Sequence, residues 1–369
     1  MNSVKATMTK GGYFHLFDKD PQQKWHLRFG VTPNCNFRCS YCAPEGGFPV
    51  KETLSIDEVS EILHAAFLNG ITRVHWTGGE PTVRTDILEC MKMAKTIGYT
   101  DQVITTNGYR LARILDQCIN NGLTRVIVSL DTLKPERFKD LTGLDILDKV
   151  LKGMESAVLK LDSPTKMSCC TMRSTLPELG KFIQYAEDMN RRKSNKGEMV
   201  IKLNQFFPSN PAQLTAKGKE FWEREVVSYE DIIDTLSTLG SLKPYPRKNV
   251  EGDNPSYEYY TIGASNVKVG ILAMHTWKYR CGGCHKLRIK PNGDASICMA
   301  SPDSDVALAG HPLERKTQLL KMAMQYRETE LEHKIPIETR QHFSSQLGEQ
   351  RFGKIGNPIP ISAFYPNED

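Results

Sequence analysis

The sequence lacks any long hydrophobic run. None of about 18 consecutive apolar residues occurs among its 369 positions, which excludes an ordinary membrane-spanning helix. The opening stretch, Met1 to Gly12, has no apolar segment of the kind a secretory signal needs. A strong excess of one charge is also missing. The net charge is +5, and the basic residues come in scattered pairs such as Arg191-Arg192. Nucleic-acid binding asks for a clustered basic patch instead. With 39% hydrophobic and 25% charged residues, the composition carries no disorder signature. No G-x-G-x-x-G opens a helix, so the dinucleotide-binding fingerprint is absent. The expectation is a cytoplasmic protein of one or two domains, acting without membrane or nucleic acid.

What the sequence does have is cysteine in two tight groups. Ten cysteines without a signal segment point to a reducing compartment. Cys90, Cys118, Cys169 and Cys170 fall in periodic segments and read as buried, inert thiols. The first group is Cys35-Asn36-Phe37-Arg38-Cys39-Ser40-Tyr41-Cys42, a C-x3-C-x2-C spacing with an aromatic before the last cysteine. Three such thiolates suit a cubane iron–sulfur cluster and leave its fourth iron open to chelate a small molecule. A zinc site or a disulfide pair is the alternative, although zinc wants a fourth ligand that is not local.

The chain around this loop alternates. Lys24 to Thr32 reads as a strand, and Ser55-x-x-Glu58 caps a helix that Gly70 ends. Thr72 to Thr77 is a strand running into Gly78-Gly79-Glu80-Pro81. Gln102 to Asn107, Arg125 to Leu130, Lys166 to Met172 and Val200 to Phe206 are further strands, separated by helical stretches. Six strands alternating with helices predict parallel βαβ units closing into a partial (β/α)6 TIM-type barrel of the α/β class; a doubly wound sheet is the alternative. The polar clusters fall at strand ends, and so share one face. Beyond Pro208 the alternation weakens, and Leu242 to Pro255 reads as a connector. The boundaries expected are an extension at 1–23, the barrel at 24–210, a region at 211–339 and a tail at 340–369.

The second group is Cys281, Cys284 and Cys298, at C-x2-C-x13-C spacing. Asn292-Gly293 between them predicts a tight hairpin that pairs Leu287 with Cys298 and brings Cys298 near Cys284. Zinc with His285 or His275 as fourth ligand fits this group as well as a second iron–sulfur cluster does.

The first loop, with its Tyr and the following Gly-Gly-Glu, resembles the radical S-adenosylmethionine (SAM) signature. The two cysteine spacings together resemble the MoaA family, the GTP 3′,8-cyclases of molybdenum-cofactor biosynthesis. That resemblance runs from Lys24 to Met299 and includes Thr105-Thr106-Asn107-Gly108-Tyr109 and Val128-Ser129-Leu130-Asp131. It implies two [4Fe-4S] clusters, the first held by Cys35, Cys39 and Cys42 and cleaving SAM, the second held by Cys281, Cys284 and Cys298 and binding the purine. It implies SAM contacts at Tyr41, Gly78, Gly79, Glu80, Asn107 and Ser129, and nucleotide contacts at Arg28, His75, Thr105, Lys166, Lys286 and Arg288.

The chain also departs from the family. His75 and Lys286 stand where Arg is usual, Phe207 where Met is frequent, and Pro33-Asn34 where Asp-Arg is common. The chain ends Tyr365-Pro366-Asn367-Glu368-Asp369 rather than in Gly-Gly. The expected activity is GTP 3′,8-cyclisation with a flavodoxin or ferredoxin as electron donor and a homodimer as the assembly. The alternatives are a paralogue acting on another nucleotide, small molecule or peptide, and a non-catalytic iron–sulfur or zinc protein.

Overall fold

The computed structural model describes residues 25–42, 53–193, 196–206, 216–246, 257–272, 285–296 and 305–327. Six parallel strands lie side by side in chain order: β1 (His26–Gly30), β2 (Arg73–Thr77), β3 (Asp101–Thr106), β4 (Leu123–Ser129), β5 (Thr165–Thr171) and β6 (Met199–Gln205). Between them run α1 (Ile56–Leu68), α2 (Ile87–Ile97), α3 (Leu111–Asn120), α4 (Pro135–Thr142), α5 (Leu147–Lys160) and α6 (Leu179–Arg192). After β6 come α7 (Ala216–Glu225), α8 (Tyr229–Leu239), β7 (Leu242–Tyr245), β8 (Glu258–Ile262), β9 (Val269–Leu272), β10 (Lys286–Ile289), β11 (Asp294–Ser296), β12 (Asp305–Ala307) and α9 (Leu313–Tyr326).

The later strands extend both edges of the same sheet. Its order is β12-β11-β10-β1-β2-β3-β4-β5-β6-β9-β8-β7, with β10 parallel to β1 and β9 parallel to β6. Among the described residues its two ends do not pair, so this is a partial barrel rather than a closed one. No helix among the described residues is long and apolar enough to cross a membrane.

Strand alternation gives the sheet two different faces. Leu27, Phe29, Val74, Trp76, Ile104, Val126, Val128, Met167 and Leu203 are buried in one apolar core with helix residues such as Val59, Met91, Leu115 and Met154. The residues between them, Arg28, His75, Thr105, Ser129, Lys166 and Lys202, point to the inner face. Polar side chains occur there because that face holds the site and not the core.

Most sequence-derived elements lie within two residues of their observed bounds; four features differ. The expected connector after Leu242 begins with a strand, β7, which tolerates Pro244 because it lies at the sheet edge. Strand β12 and helix α9 carried no clear signal. In α9 the side chain wedged against α1 is Lys316, fully buried and paired with Glu58 at 2.7 Å and with Glu61. A charge on the docking face hides the helix from hydrophobic periodicity. The same contact dismantles half of the expected capping box. Ser55 accepts the Glu58 N–H at 3.2 Å, but the Glu58 carboxylate takes the Gly310 N–H at 3.0 Å instead of returning to the cap.

The fourth difference is the register of the β10–β11 hairpin. Arg288 pairs with Ser296 and Ile289 with Ala295, one residue off the expected pairing of Leu287 with Cys298. Lys290 donates to the Asp294 carbonyl at 2.8 Å, and Gly293 takes a φ of +91°. The loop is therefore the three residues Pro291-Asn292-Gly293. Pro291 has no N–H to offer the ladder, so pairing stops at Lys290. Cys90, Cys118 and Cys169 are buried as expected, whereas Cys170 is only partly so. It lies at the open end of β5, against Met172 and Tyr41.

Candidate active site

The cysteine loop leaves the C-terminal end of β1 and is held by the ends of its neighbours. Val31 donates to the Thr77 carbonyl at 2.9 Å, so β1 and β2 stay paired up to the loop. The turn after β2 then runs directly against the loop. Gly79 donates to the Thr32 carbonyl at 2.7 Å and Glu80 to the Asn34 carbonyl at 2.8 Å. A Cβ on Gly79 would stand 2.2 Å from the Asn34 oxygen, and Gly78 takes a φ of +136°. Both glycines are needed for this close approach of two backbones.

Glu80 ties this turn to the end of β3. Its Oε1 accepts the Thr82 N–H at 3.0 Å, the Thr82 hydroxyl at 2.6 Å and the Thr106 hydroxyl at 2.7 Å. Its Oε2 accepts the Asn107 N–H at 2.7 Å. Burial pushes this carboxyl above its ordinary range, against those donors. Asn107 in turn reaches the loop, donating to Asn36 Oδ1 at 2.8 Å and toward Cys35 Sγ at 3.9 Å.

The far half of the loop rests on α4 and the end of β4. Arg38 and Ser40 donate to the Thr142 and Leu141 carbonyls at 3.1 and 3.0 Å. Phe37 meets Phe138 edge-on with ring centroids 5.9 Å apart. The Tyr41 hydroxyl donates to Asp131 Oδ2, and Asp131 Oδ1 accepts the Cys170 N–H at 2.7 Å.

Below the loop, the inner face is cationic. Cross-strand register places Arg28 beside both His75 and Arg288, and His26 beside Lys286. Lys166 lies beside Ile127, Ser129 beside Ser168, and Ser168 beside Lys202. Lys166 and Lys202 are 2% and 5% exposed, so two ammonium groups stand within the fold. His75 Nε2 lies 2.7 Å from Thr105 Oγ1. Burial, then the charge of Arg28, holds His75 well below the ordinary histidine range; burial and then Lys286 do the same to His26. Both rings are therefore neutral near pH 7, and the positive charge comes from Arg and Lys alone.

Comparison with known proteins follows the same lines. Residues 30–178 match the radical SAM superfamily. Over 296 residues the chain is 30% identical to the GTP 3′,8-cyclase of Peptoclostridium acidaminophilum, covering 79% of this chain and 84% of that one. The chain belongs to the MoaA-like radical SAM family. It is also 29% identical to the molybdenum cofactor biosynthesis protein 1 of Bos taurus over 80% of its own length, but it spans only 44% of that longer protein. Among solved structures, Streptococcus suis SuiB bound to S-adenosylmethionine aligns with a TM-score of 0.53 at 14% identity, covering 84% of this chain and 66% of that one. At that identity the likeness is one of fold.

Membership makes the protein a radical SAM enzyme and implies a [4Fe-4S] cluster together with SAM. The cysteine loop fits that requirement. Burial pushes Cys39 up to about 12, and the facing Cys42, Asp131 and Cys35 push the same way. Burial also raises Cys35. Cys35 and Cys42 are exposed and Cys39 is partly so, so all three sulfurs on this short loop are open to a cluster, which binds them as thiolates. Among the described residues no three His, Cys, Asp or Glu side chains surround a single point at one-ion distance. A cubane takes its thiolates on separate irons, so its ligands stand farther apart than those of one ion.

In this MoaA-like enzyme all the expected SAM-contact positions lie on the rim formed by the strand ends. Lys286 and Arg288 reach the inner face from β10. Cys281, Cys284, Cys298, His275 and Phe207 lie outside the described residues. Several residues on the inner face escaped sequence reasoning. Lys202 stands 3.8 Å from the centre of the Tyr257 ring, the Tyr257 hydroxyl donates to Asn204 Oδ1, and Asn204 Nδ2 donates to Ser168 Oγ at 2.9 Å. The signal available was parity, since Lys202 and Asn204 alternate with Ile201 and Leu203 as Arg28 does with Leu27 and Phe29. Asp131 was visible only as the last residue of Ser129-Leu130-Asp131.

Proposed function

We propose that this enzyme cleaves SAM at a cluster held by Cys35, Cys39 and Cys42 and takes a hydrogen atom from a nucleotide, most simply GTP in a 3′,8-cyclisation. The observation that carries the reading is the cationic inner face under the cysteine loop, where Arg28, Lys166, Lys202, Lys286 and Arg288 share one wall system with neutral His26 and His75. A polyphosphate suits such a surface, and Arg supplies paired hydrogen bonds to phosphate oxygens. When bound, the cluster supplies one electron to SAM and so yields the 5′-deoxyadenosyl radical.

The protein's own residues position and enclose. Gly78 and Gly79 bring a strip of backbone against the loop, where it can meet the SAM methionine. Tyr41, Asn107 and Ser129 line the rim for the rest of SAM. The basic residues anchor the anionic end of the substrate deeper in, so that a ribose carbon stands near the rim. The region 211–339 supplies the second cluster, through Cys281, Cys284 and Cys298. A flavodoxin or ferredoxin delivers the electron, and the enzyme works as a homodimer in the cytoplasm.

A second reading, an anionic substrate other than GTP, is favoured by His75. A neutral ring at that position offers one hydrogen bond and no charge to a phosphate. An anaerobic assay separates the two. Protein reconstituted with iron and sulfide receives SAM, a reductant and GTP, and 5′-deoxyadenosine is quantified beside GTP. Loss of GTP into a product of equal mass, matched by 5′-deoxyadenosine, is expected. Slow 5′-deoxyadenosine with intact GTP would move the substrate to another anion.

The division of labour between clusters gives a further expected result. Cys281→Ala reduces substrate turnover at least tenfold while uncoupled formation of 5′-deoxyadenosine continues. Unchanged turnover in that variant would remove the second cluster from substrate binding.

A further inference from the structure

Asp131 is buried just past the end of β4, and the proposed SAM and substrate contacts make no use of it. Its two oxygens are taken by donors from different parts of the rim. Oδ2 receives the Tyr41 hydroxyl, and Oδ1 receives the Cys170 backbone N–H at 2.7 Å. Tyr41 lies inside the cysteine triplet, immediately before Cys42. The carboxylate is thus a link between the loop and the end of β5. Its surroundings are specific. Cys39 faces it from the loop, Cys169 and Cys170 from β5, and Arg137 from α4. Arg137 is committed elsewhere, to Glu178 at 3.0 Å and to the Ser174 and Thr175 hydroxyls. Among the described residues no cation pairs directly with Asp131. Burial raises this carboxyl to about 6 while the two donors favour its anionic form, and among the described residues no ion pair cancels its charge.

We propose that Asp131 is a positioning residue for the SAM-cleaving centre: it locks Tyr41, and with it the Cys39–Cys42 half of the loop, against β5, and it sets one negative charge beside the thiolates that lowers the centre's reduction potential. The inference rests on Cys35, Cys39 and Cys42 being the cluster ligands. The tether acts on SAM affinity, because Tyr41 forms part of the rim. The charge acts on electron uptake, because adding an electron beside a fixed anion costs Coulomb energy even in a partly polar interior. The two effects are separable by chemistry. Asp131→Asn keeps the shape but removes the charge and one of the two acceptor oxygens, and with it one bond of the tether. Tyr41→Phe keeps the ring but removes the hydroxyl donor.

The test uses full-length protein reconstituted anaerobically with iron and sulfide. Cluster content is measured first. The signal that changes when SAM is added is then followed by electron paramagnetic resonance in a redox titration, and SAM binding is measured by equilibrium dialysis. Asp131→Asn is expected to keep its cluster and to raise the reduction constant of that signal about tenfold, which is about 59 mV for a one-electron couple. Both Asp131→Asn and Tyr41→Phe are expected to weaken SAM binding about fivefold, and Tyr41→Phe leaves the reduction constant within about twofold. The double variant binds SAM no worse than about fivefold below wild type, because both changes cut one link.

Losses that multiply in the double variant, or an unchanged reduction constant in Asp131→Asn, would overturn the proposal. If Asp131→Asn fails to hold its cluster, Tyr41→Phe alone decides, and unaltered SAM affinity there overturns the tether. Wild-type protein that takes up no iron and sulfide at the loop sinks the ligand assignment and the proposal together. Wild-type protein with a normal cluster and unmoved variants sinks the proposal alone.

Discussion

Cys39→Ala is expected to reduce formation of 5′-deoxyadenosine to background and to remove about four irons per chain. The loop supplies three thiolates and no further thiol, imidazole or carboxylate: its other side chains are Asn36, Phe37, Arg38, Ser40 and Tyr41. Asn36 is engaged by Asn107 and Tyr41 by Asp131. Of the three thiols, Cys39 is the most enclosed, packed against the main apolar core, while Cys35 and Cys42 are exposed. Water therefore replaces it least easily as an iron ligand. Cys118→Ala is the matched control, since that thiol lies in the core on α3, away from the loop. It costs about 1 kcal/mol of stability through a small cavity and leaves SAM cleavage intact. Iron and sulfide analysis beside chromatography of 5′-deoxyadenosine reads both variants. Cleavage by Cys39→Ala within tenfold of wild type would end the assignment of this loop.

The second large effect is expected at Gly79, although no side chain is lost there. Alanine places its Cβ 2.2 Å from the Asn34 oxygen and 2.6 Å from the Pro33 oxygen. Neither atom belongs to a flexible side chain, so the backbone strips must part. The bonds from Gly79 and Glu80 to Thr32 and Asn34 break with them. Asn34 immediately precedes Cys35, so the displacement reaches the first ligand. Gly79→Ala is expected to destabilise the protein by about 3 kcal/mol, at the upper end of ordinary overpacking, and to lose most of its cluster. Gly143→Ala provides the comparison. Its φ is +79° but nothing lies within 4 Å of the added methyl, so it costs only about 1–2 kcal/mol of backbone strain. Urea midpoints of the two variants give the difference. Equal midpoints would show that the contact between the Gly-Gly turn and the cysteine loop is not tight in solution.

The barrel was legible because six strands alternate with helices along the chain, and several of those strands carry two kinds of residue. Leu27, Phe29, Val74 and Trp76 mark the helix-covered face, while Arg28 and His75 mark the inner one. The rim was legible for a different reason, since glycine pairs and cysteine triplets at strand ends have few purely structural uses. Three things did not show. Lys316 reads as a surface residue until Glu58 and Glu61 are brought around it from α1, more than 250 positions away in the chain. Glu80 reads as a ligand contact, and only the fold supplies the Thr82, Thr106 and Asn107 donors that make it a strut. The hairpin register turned on Pro291, whose missing N–H matters only once a ladder partner is defined. In each case the deciding partner is remote in sequence or a backbone atom, and neither leaves a periodic trace.

The parallel pairing of β1 with β10 bears on the order of events during synthesis. Strand β1 is among the first described segments to leave the ribosome, whereas its outer neighbour, Lys286–Ile289, follows roughly 250 residues later. At about 5–20 residues per second that interval lasts roughly 13–50 s. Throughout it, one edge of β1 has no strand beside it, and the nascent chain carries its first cysteine triplet on a half-built wall. A stalled or truncated chain ending before residue 286 would therefore display an open strand edge beside the cysteine loop to the cell's quality control.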